Sequence, residues 1–274
     1  MSTKNNRIKL VLLATALVAA CSTTAFAANW EPVVPVNTAR DQFAAGVIDN
    51  KIYIFGGNDI NPEEQNDLQS TEMLDLDQPL TWSYLADNNG NGVNGLSGVE
   101  ELTGASLNGK FYVFGGSQDT VTNTFNFVEE YDPASNTWSS KAAMPTTRTA
   151  AIAAAYNNEI YVFGGDYYPA ATHKGIHYKV VEAYNPAIDQ WRKVTKMPQL
   201  RLLPAVAVVN DKAYVFGGSN VSEKIYGNVY AYDFKATKWK TSGLTPLPTP
   251  RSFSFAHAAP VLNGKIYLLS GVAT

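Results

Sequence analysis

A ten-residue phrase written five times constrains this chain more than any other feature. It reads "DNKIYIFGGN" from Asp49, "NGKFYVFGGS" from Asn108, "NNEIYVFGGD" from Asn157, "NDKAYVFGGS" from Asn210 and "NGKIYLLSGV" from Asn263. Its glycine pairs are Gly56–Gly57, Gly115–Gly116, Gly164–Gly165 and Gly217–Gly218, with a single Gly271 in the fifth copy. Counted on the second glycine, the spacings are 59, 49, 53 and 53 residues. A unit of this size cannot bury its apolar faces alone, so copies must stack. Further residues keep the same register. Trp30, Trp82, Trp138, Trp191 and Trp239 occupy one repeat position and account for all 5 tryptophans. Tyr131, Tyr184 and Tyr232 each stand seven residues before a tryptophan. An arginine follows ten residues after Trp30, Trp138 and Trp191, at Arg40, Arg148 and Arg201, and twelve after Trp239, at Arg251.

Each copy holds four short β-rich runs bounded by Asn-Gly, Asn-Asp or Asp-Pro turn signals. Only 16% of residues are charged and 45% are apolar, as suits a β-rich fold. Four-stranded sheets stacked about an axis bury both faces, which is the logic of a propeller blade. Arginine, apolar run, tight turn, "IYVFGG", variable loop, "VExYDPxxNxW" and "MP" together resemble the kelch repeat over residues 30–271. That resemblance implies an all-β, kelch-type β-propeller with five visible blades, in repeats at about 39–86, 99–145, 148–198, 201–248 and 251–274. The fifth copy supplies only its first two strands before Thr274. Either the segment after Trp30 closes a five-bladed ring as an outer strand, or the chain is a fragment of a longer, six-bladed protein. The repeated glycines and tryptophans read as scaffold: glycine admits close backbone approach, and tryptophan wedges between blades.

Residues 1–27 read as an export signal: Lys4, Arg7 and Lys9, then an apolar run from Leu10 to Ala20, then Ala25-Phe26-Ala27 before Ala28. The run is shorter than the about 20 residues a membrane-spanning helix needs, so no transmembrane segment is expected. The domain is then residues 28–274, periplasmic or extracellular. The only cysteine, Cys21, lies in a stretch that also resembles a lipoprotein box, which would instead anchor the protein by lipid. Without the leader the chain holds 18 basic against 24 acidic residues, a net of −6, which argues against nucleic acid as a partner.

Strands that run up and down place the long loops after the glycine pairs and the repeat arginines on one face, opposite the short a-to-b turns. Loops on a rigid scaffold are where binding residues concentrate. The expected ligand-binding face comprises Arg40, Arg148, Arg201, Arg251, Asn58, Asp59, Asp166, Tyr167, Tyr168 and Asn220. The arginines have two open roles: a partial ring at the mouth of the axis suited to carboxylates, or locks on a carboxylate or carbonyl within the blades. His173 and His177 have the spacing of helical metal ligands in a stretch with no helix signal. Asp87, Asn89 and Asn91 match the first half of a calcium loop whose twelfth position is Gly98 rather than Glu. Neither makes a convincing metal site, and no cofactor is expected.

No nucleophile elbow, zinc-protease or phosphate-loop motif occurs. The expected function is therefore a non-catalytic module that binds a protein, peptide or glycan. The alternative is a carbohydrate-active enzyme similar to the periplasmic sialic acid mutarotases, which the arginine ring would serve. The resemblance to galactose oxidase stops at the fold, because that family's Tyr–Cys cofactor needs a cysteine the folded region lacks.

Overall fold

The structure is a computed structural model that describes residues 34–60, 66–77, 81–85, 98–118, 120–172, 174–253 and 259–268. Four antiparallel meanders follow one another, each with strands a to d in spatial order. Blade 1 comprises Ala44–Ile48, Lys51–Phe55, Thr71–Asp75 and Trp82–Tyr84. Blade 2 comprises Thr103–Leu107, Lys110–Phe114, Val128–Asp132 and Thr137–Lys141. Blade 3 comprises Ile152–Tyr156, Glu159–Phe163, Val180–Asn185 and Gln190–Lys196. Blade 4 comprises Ala205–Val209, Lys212–Phe216, Val229–Asp233 and Lys238–Lys240. The a strands of successive blades lie side by side, and a hairpin of Val261–Leu262 and Lys265–Ile266 packs on strand a of blade 4. The chain is thus an all-β propeller. Where five blades were expected, four are complete, and the fifth copy contributes a hairpin among the described residues. The leader, Cys21, Trp30, His173 and the half calcium loop at Asp87, Asn89 and Asn91 lie outside the described residues.

Local chemistry explains the meander. Both turn residues have positive φ in Asp49-Asn50 (46° and 61°), Asn157-Asn158 (48° and 62°) and Asn210-Asp211 (49° and 59°). Tight hairpins demand that geometry, and Asn, Asp and Gly tolerate it. The seven-residue step from tyrosine to tryptophan is a c-to-d hairpin that sets the two directly opposite: Tyr131 on Trp138, Tyr184 on Trp191, Tyr232 on Trp239. Their ring centroids are 5.1, 5.2 and 5.2 Å apart.

The core lies between blades rather than within one. Phe55 of blade 1 packs on Trp138 of blade 2, and Phe114 of blade 2 on Trp191 of blade 3. Full burial of each such phenylalanine contributes about 1.5–3 kcal/mol. The indoles also reach backwards for a hydrogen bond. Trp191 donates to the carbonyl of Ala142, six residues before Arg148, at 2.7 Å. Trp82 donates to Val34, six residues before Arg40, at 3.1 Å. Residues 34–39 therefore meet blade 1 as the end of blade 2 meets blade 3.

The glycine pair sits where carbonyls from two directions crowd one point. A Cβ on Gly57 would lie 2.3 Å from the Asp41 carbonyl of its own blade. One on Gly115 would lie 2.2 Å from the Arg148 carbonyl of the next blade. The freed space lets the second glycine's N–H bond across the junction: Gly57 to Val99 at 2.8 Å, Gly218 to Arg251 at 2.8 Å.

Candidate binding face

Between the two roles open to the arginines, the structure selects the lock. Arg40, Arg148 and Arg201 are 5%, 0% and 1% exposed and point into their own blades. Each donates to the carbonyl of the first glycine sixteen residues on: Gly56 at 2.9 Å, Gly164 at 2.8 Å, and Gly217. In blade 1 the other end of the guanidinium meets Glu72 of strand c at 2.5 Å. In blade 3 it meets Glu182 at the same register. Glu72 also accepts from the Asn37 and Thr38 amides, and Glu182 from the Thr146 hydroxyl, so each buried pair ties in the segment preceding its arginine. Arg40, Arg148 and Arg201 thus do not form a ring at the mouth, because a buried guanidinium needs acceptors and the blade interior supplies them. Arg251 is half-buried, and its carbonyl takes the Gly218 amide.

Blades 2 and 4 break this pattern in opposite ways. Val99 stands sixteen residues before Gly115, so the buried Glu129 of blade 2 has no arginine and accepts from Ser140 at 2.6 Å instead. Burial pushes its carboxyl up. In blade 4, Tyr230 replaces the glutamate. The Arg201 guanidinium lies 4.3 Å from its ring centroid and 5.1 Å from that of Tyr226, and Nε and Nη2 have no hydrogen-bond partner.

Carboxylates line the mouth instead. The residue after each arginine position pairs across strands with the residue after each glycine pair: Asp41 with Asn58, Glu100 with Ser117, Thr149 with Asp166, Leu202 with Ser219. Side-chain bonds then cross between blades. Asn58 Nδ2 donates to Glu100 at 3.3 Å, and the Thr149 hydroxyl donates to Glu101 Oε2 at 2.7 Å. Asp166 is 8% exposed and pairs with His177 Nδ1 at 2.8 Å. Burial pushes the Glu100 carboxyl up to about 7, helped by the charges of Asp67, Glu101 and Asp41 and opposed by the Asn58 hydrogen bond. Burial also raises Glu101, with Asp166 and Asp67 adding to it against the Thr149 hydrogen bond. Asp166 is raised by burial against the pull of His177, and Asp41 by burial. Five carboxyl groups thus share one electrostatic neighbourhood.

The other expected residues divide. Asn58 and Asp166 belong to this acidic ring. Asp59 lies opposite Arg40 in a short strand pair, next to the exposed Ile60. Tyr168 is edge-on to His177 at 6.0 Å, and Tyr167 pairs with the exposed Ile176. Asn220 builds its own loop, accepting from the Ser222 and Lys224 amides. Three loop tips around the ring, Ile60, Ile176 and Val221, carry aliphatics 56%, 44% and 57% exposed. Among the described residues, no group of three His, Cys, Asp or Glu is arranged to hold a metal ion, and no helix is long and apolar enough to cross a membrane. Glu100 and Glu101 were missed by motif because blade 2 lacks the arginine that marks the register. Counting sixteen back from Gly115 would have found them.

The family profile described as Attractin/LZTR1 beta-propeller matches residues 15–274. Kelch-like protein 35 of Mus musculus is 26% identical over 246 residues, covering 89% of this chain and 37% of that protein. Kelch-like protein terF of Aspergillus terreus is 30% identical over 210 residues, covering 70% of this chain and 43% of that protein. The chain therefore spans well under half the length of these relatives. A solved structure described as "Structure of YjhT" aligns with a TM-score of 0.64 at 20% identity, covering 80% of this chain and 69% of the other, a likeness of fold.

Proposed function

We propose that this chain, which belongs to the Attractin/LZTR1 β-propeller family, is a protein-interaction module whose loop face receives a basic segment of its partner. The observation that carries this reading is the ring of Asp41, Asp67, Glu100, Glu101 and Asp166, with the repeat arginines turned into the blades. A cationic side chain entering the ring would favour the ionised carboxylates that burial, and for Glu100 and Glu101 neighbouring carboxylates, disfavour. The aliphatic tips Ile60, Ile176 and Val221 would supply apolar contact around that charged centre. Loops on a rigid scaffold support a binding role. A carboxylated sugar loses its basis here, since the guanidinium groups of Arg40, Arg148 and Arg201 are buried in their blades and carboxylates face the mouth. Export belongs to the proposal too, on the strength of the N-terminal leader pattern. A mature chain beginning at Ala28, found by intact-mass measurement, would support it.

The test is fluorescence anisotropy with matched Lys/Arg-rich and Asp/Glu-rich peptides. The basic peptide should bind and weaken steeply with salt. Glu100→Gln combined with Glu101→Gln should weaken it by about tenfold or more. Preference for the acidic peptide, or indifference to the double substitution, would reject the reading.

A further inference from the structure

On the turn face, the wedges between successive blades are built from equivalent positions, and one of them seats an extra ring. Between blades 3 and 4 the wedge is filled by Phe234, the residue after strand c of blade 4. Its ring stacks on Tyr156 at 4.0 Å and 8°, with Tyr161 at 4.7 Å and Tyr232 edge-on at 5.5 Å. Strand register maps these positions onto the wedge between blades 1 and 2: Tyr156 onto Ile48, Tyr161 onto Tyr53, Tyr232 onto Tyr131, and Phe234 onto Pro133. A groove of about 630 Å³ opens there, walled by Ile48, Tyr53, Met73, Leu85, Tyr131 and Pro133.

Backbone geometry does not explain the difference. Both c-to-d turns have the same length and the same aspartate cap. Asp132 accepts from the Ala134 amide at 2.9 Å, and Asp233 from the Lys235 amide at 3.0 Å. Asn136 and Thr237 hold φ at 53° and 52° in the same place. The side chains differ instead: Pro133 stands where Phe234 does and Ile48 where Tyr156 does, while Pro186 holds the same place between blades 2 and 3. Phe234 thus shows that a wedge of this build can seat a ring.

The walls of the groove are apolar and aromatic. Lys51 is bonded to Asp75 at 2.7 Å and Lys110 is bonded to Asp132, so both rim lysines are paired, and Asp49 adds a carboxylate at the edge. The Tyr131 hydroxyl donates to Asn136 at 2.6 Å, which leaves its ring as wall. The volume falls within the about 300–1,000 Å³ of ordinary ligand sites.

We propose that the groove between blades 1 and 2 is a binding site for a small neutral aromatic molecule, seated against Tyr53 and Ile48 as Phe234 is seated against Tyr161 and Tyr156. Stacked and edge-on ring contacts of this kind favour an aromatic over an aliphatic of equal size.

Methionine methyl groups report on this directly in the full chain. Of the 4 methionines, Met73 lines the groove, whereas Met144 and Met197 are buried beside Gly115 and Gly164. With ¹³C-methyl methionine labelling, titration with p-cresol should move the Met73 resonance upfield by ring current and leave Met144 and Met197 in place. Cyclohexanol, of similar size without a ring current or π face, should bind about tenfold more weakly, a difference read from the Met73 titration midpoints. Pro133→Phe should abolish the p-cresol response and hold or raise the melting temperature, because the backbone there already accepts Phe. An unmoved Met73 methyl in the wild-type chain overturns the proposal without any variant being needed. Undiminished p-cresol binding by a folded Pro133→Phe protein, or equal affinity for cyclohexanol, also overturns it.

Discussion

Arg148 and Glu182 are both buried, and each is the reason the other can be. Removing one partner of such a pair leaves an uncompensated charge in the interior, at a cost of about 3–5 kcal/mol. Glu182→Gln should therefore lower stability by about that amount in urea unfolding. Glu129 sits at the same register in blade 2 with no arginine, and burial already disfavours its charge. Glu129→Gln should change stability by less than about 1 kcal/mol by the same measurement, since no buried cation loses its partner. Equal losses at the two sites would mean that the arginine is not what distinguishes them. Arg201 shows the converse accommodation, where two tyrosine rings flank the guanidinium in place of a carboxylate.

The element that repeats most faithfully is the b strand with its entering turn and closing glycines, and its two ends have different tolerances. At the closing end, Gly57 has a φ of 93°, and a Cβ there would lie 2.3 Å from a carbonyl oxygen. Gly57→Ala should cost more than about 2 kcal/mol by denaturant midpoint, because strained backbone and steric overlap act together. At the entering end, Gly109 has a φ of 74° but nothing within 4 Å of a built Cβ. Asn158 occupies the same turn position in blade 3 with φ 62°. Gly109→Asn should accordingly cost less than about 1 kcal/mol. A Gly57→Ala protein as stable as the Gly109→Asn protein would contradict the junction geometry described above.

At the scale of the molecule, the acidic ring links folding to pH. Glu100 holds its proton to about 7 in the folded chain, against 4.5 ordinarily. The folded state therefore binds more protons than the unfolded state between those values, and stability falls as pH rises through that window. The melting temperature should decline from pH 5 toward pH 8, and Glu100→Gln should flatten the decline. A profile unchanged by Glu100→Gln would place the linkage on other groups. A basic partner has the opposite dependence: its binding should strengthen as the ring ionises.

The repeat, the turns and the blade were legible in the order of residues. Asn-Gly and Asn-Asn turns, the glycine pair and the seven-residue step from tyrosine to tryptophan are local instructions, each fixed by the conformations a few adjacent residues allow. The face that carries the long loops followed from strand alternation alone. The direction in which the charged residues point depended on packing between distant segments. Arg40 and Arg148 could have faced the mouth until Glu72 and Glu182, more than thirty residues away, drew them inward. Glu100 and Glu101 carry no motif, and they join a cluster of carboxyl groups only because blades 1 and 3 bring Asn58, Asp67, Thr149 and Asp166 beside them. The groove at Pro133 likewise became visible only beside the wedge that Phe234 fills. A repeat specifies its own blade through short-range sterics, whereas its binding chemistry arises between copies, from contacts no single copy encodes.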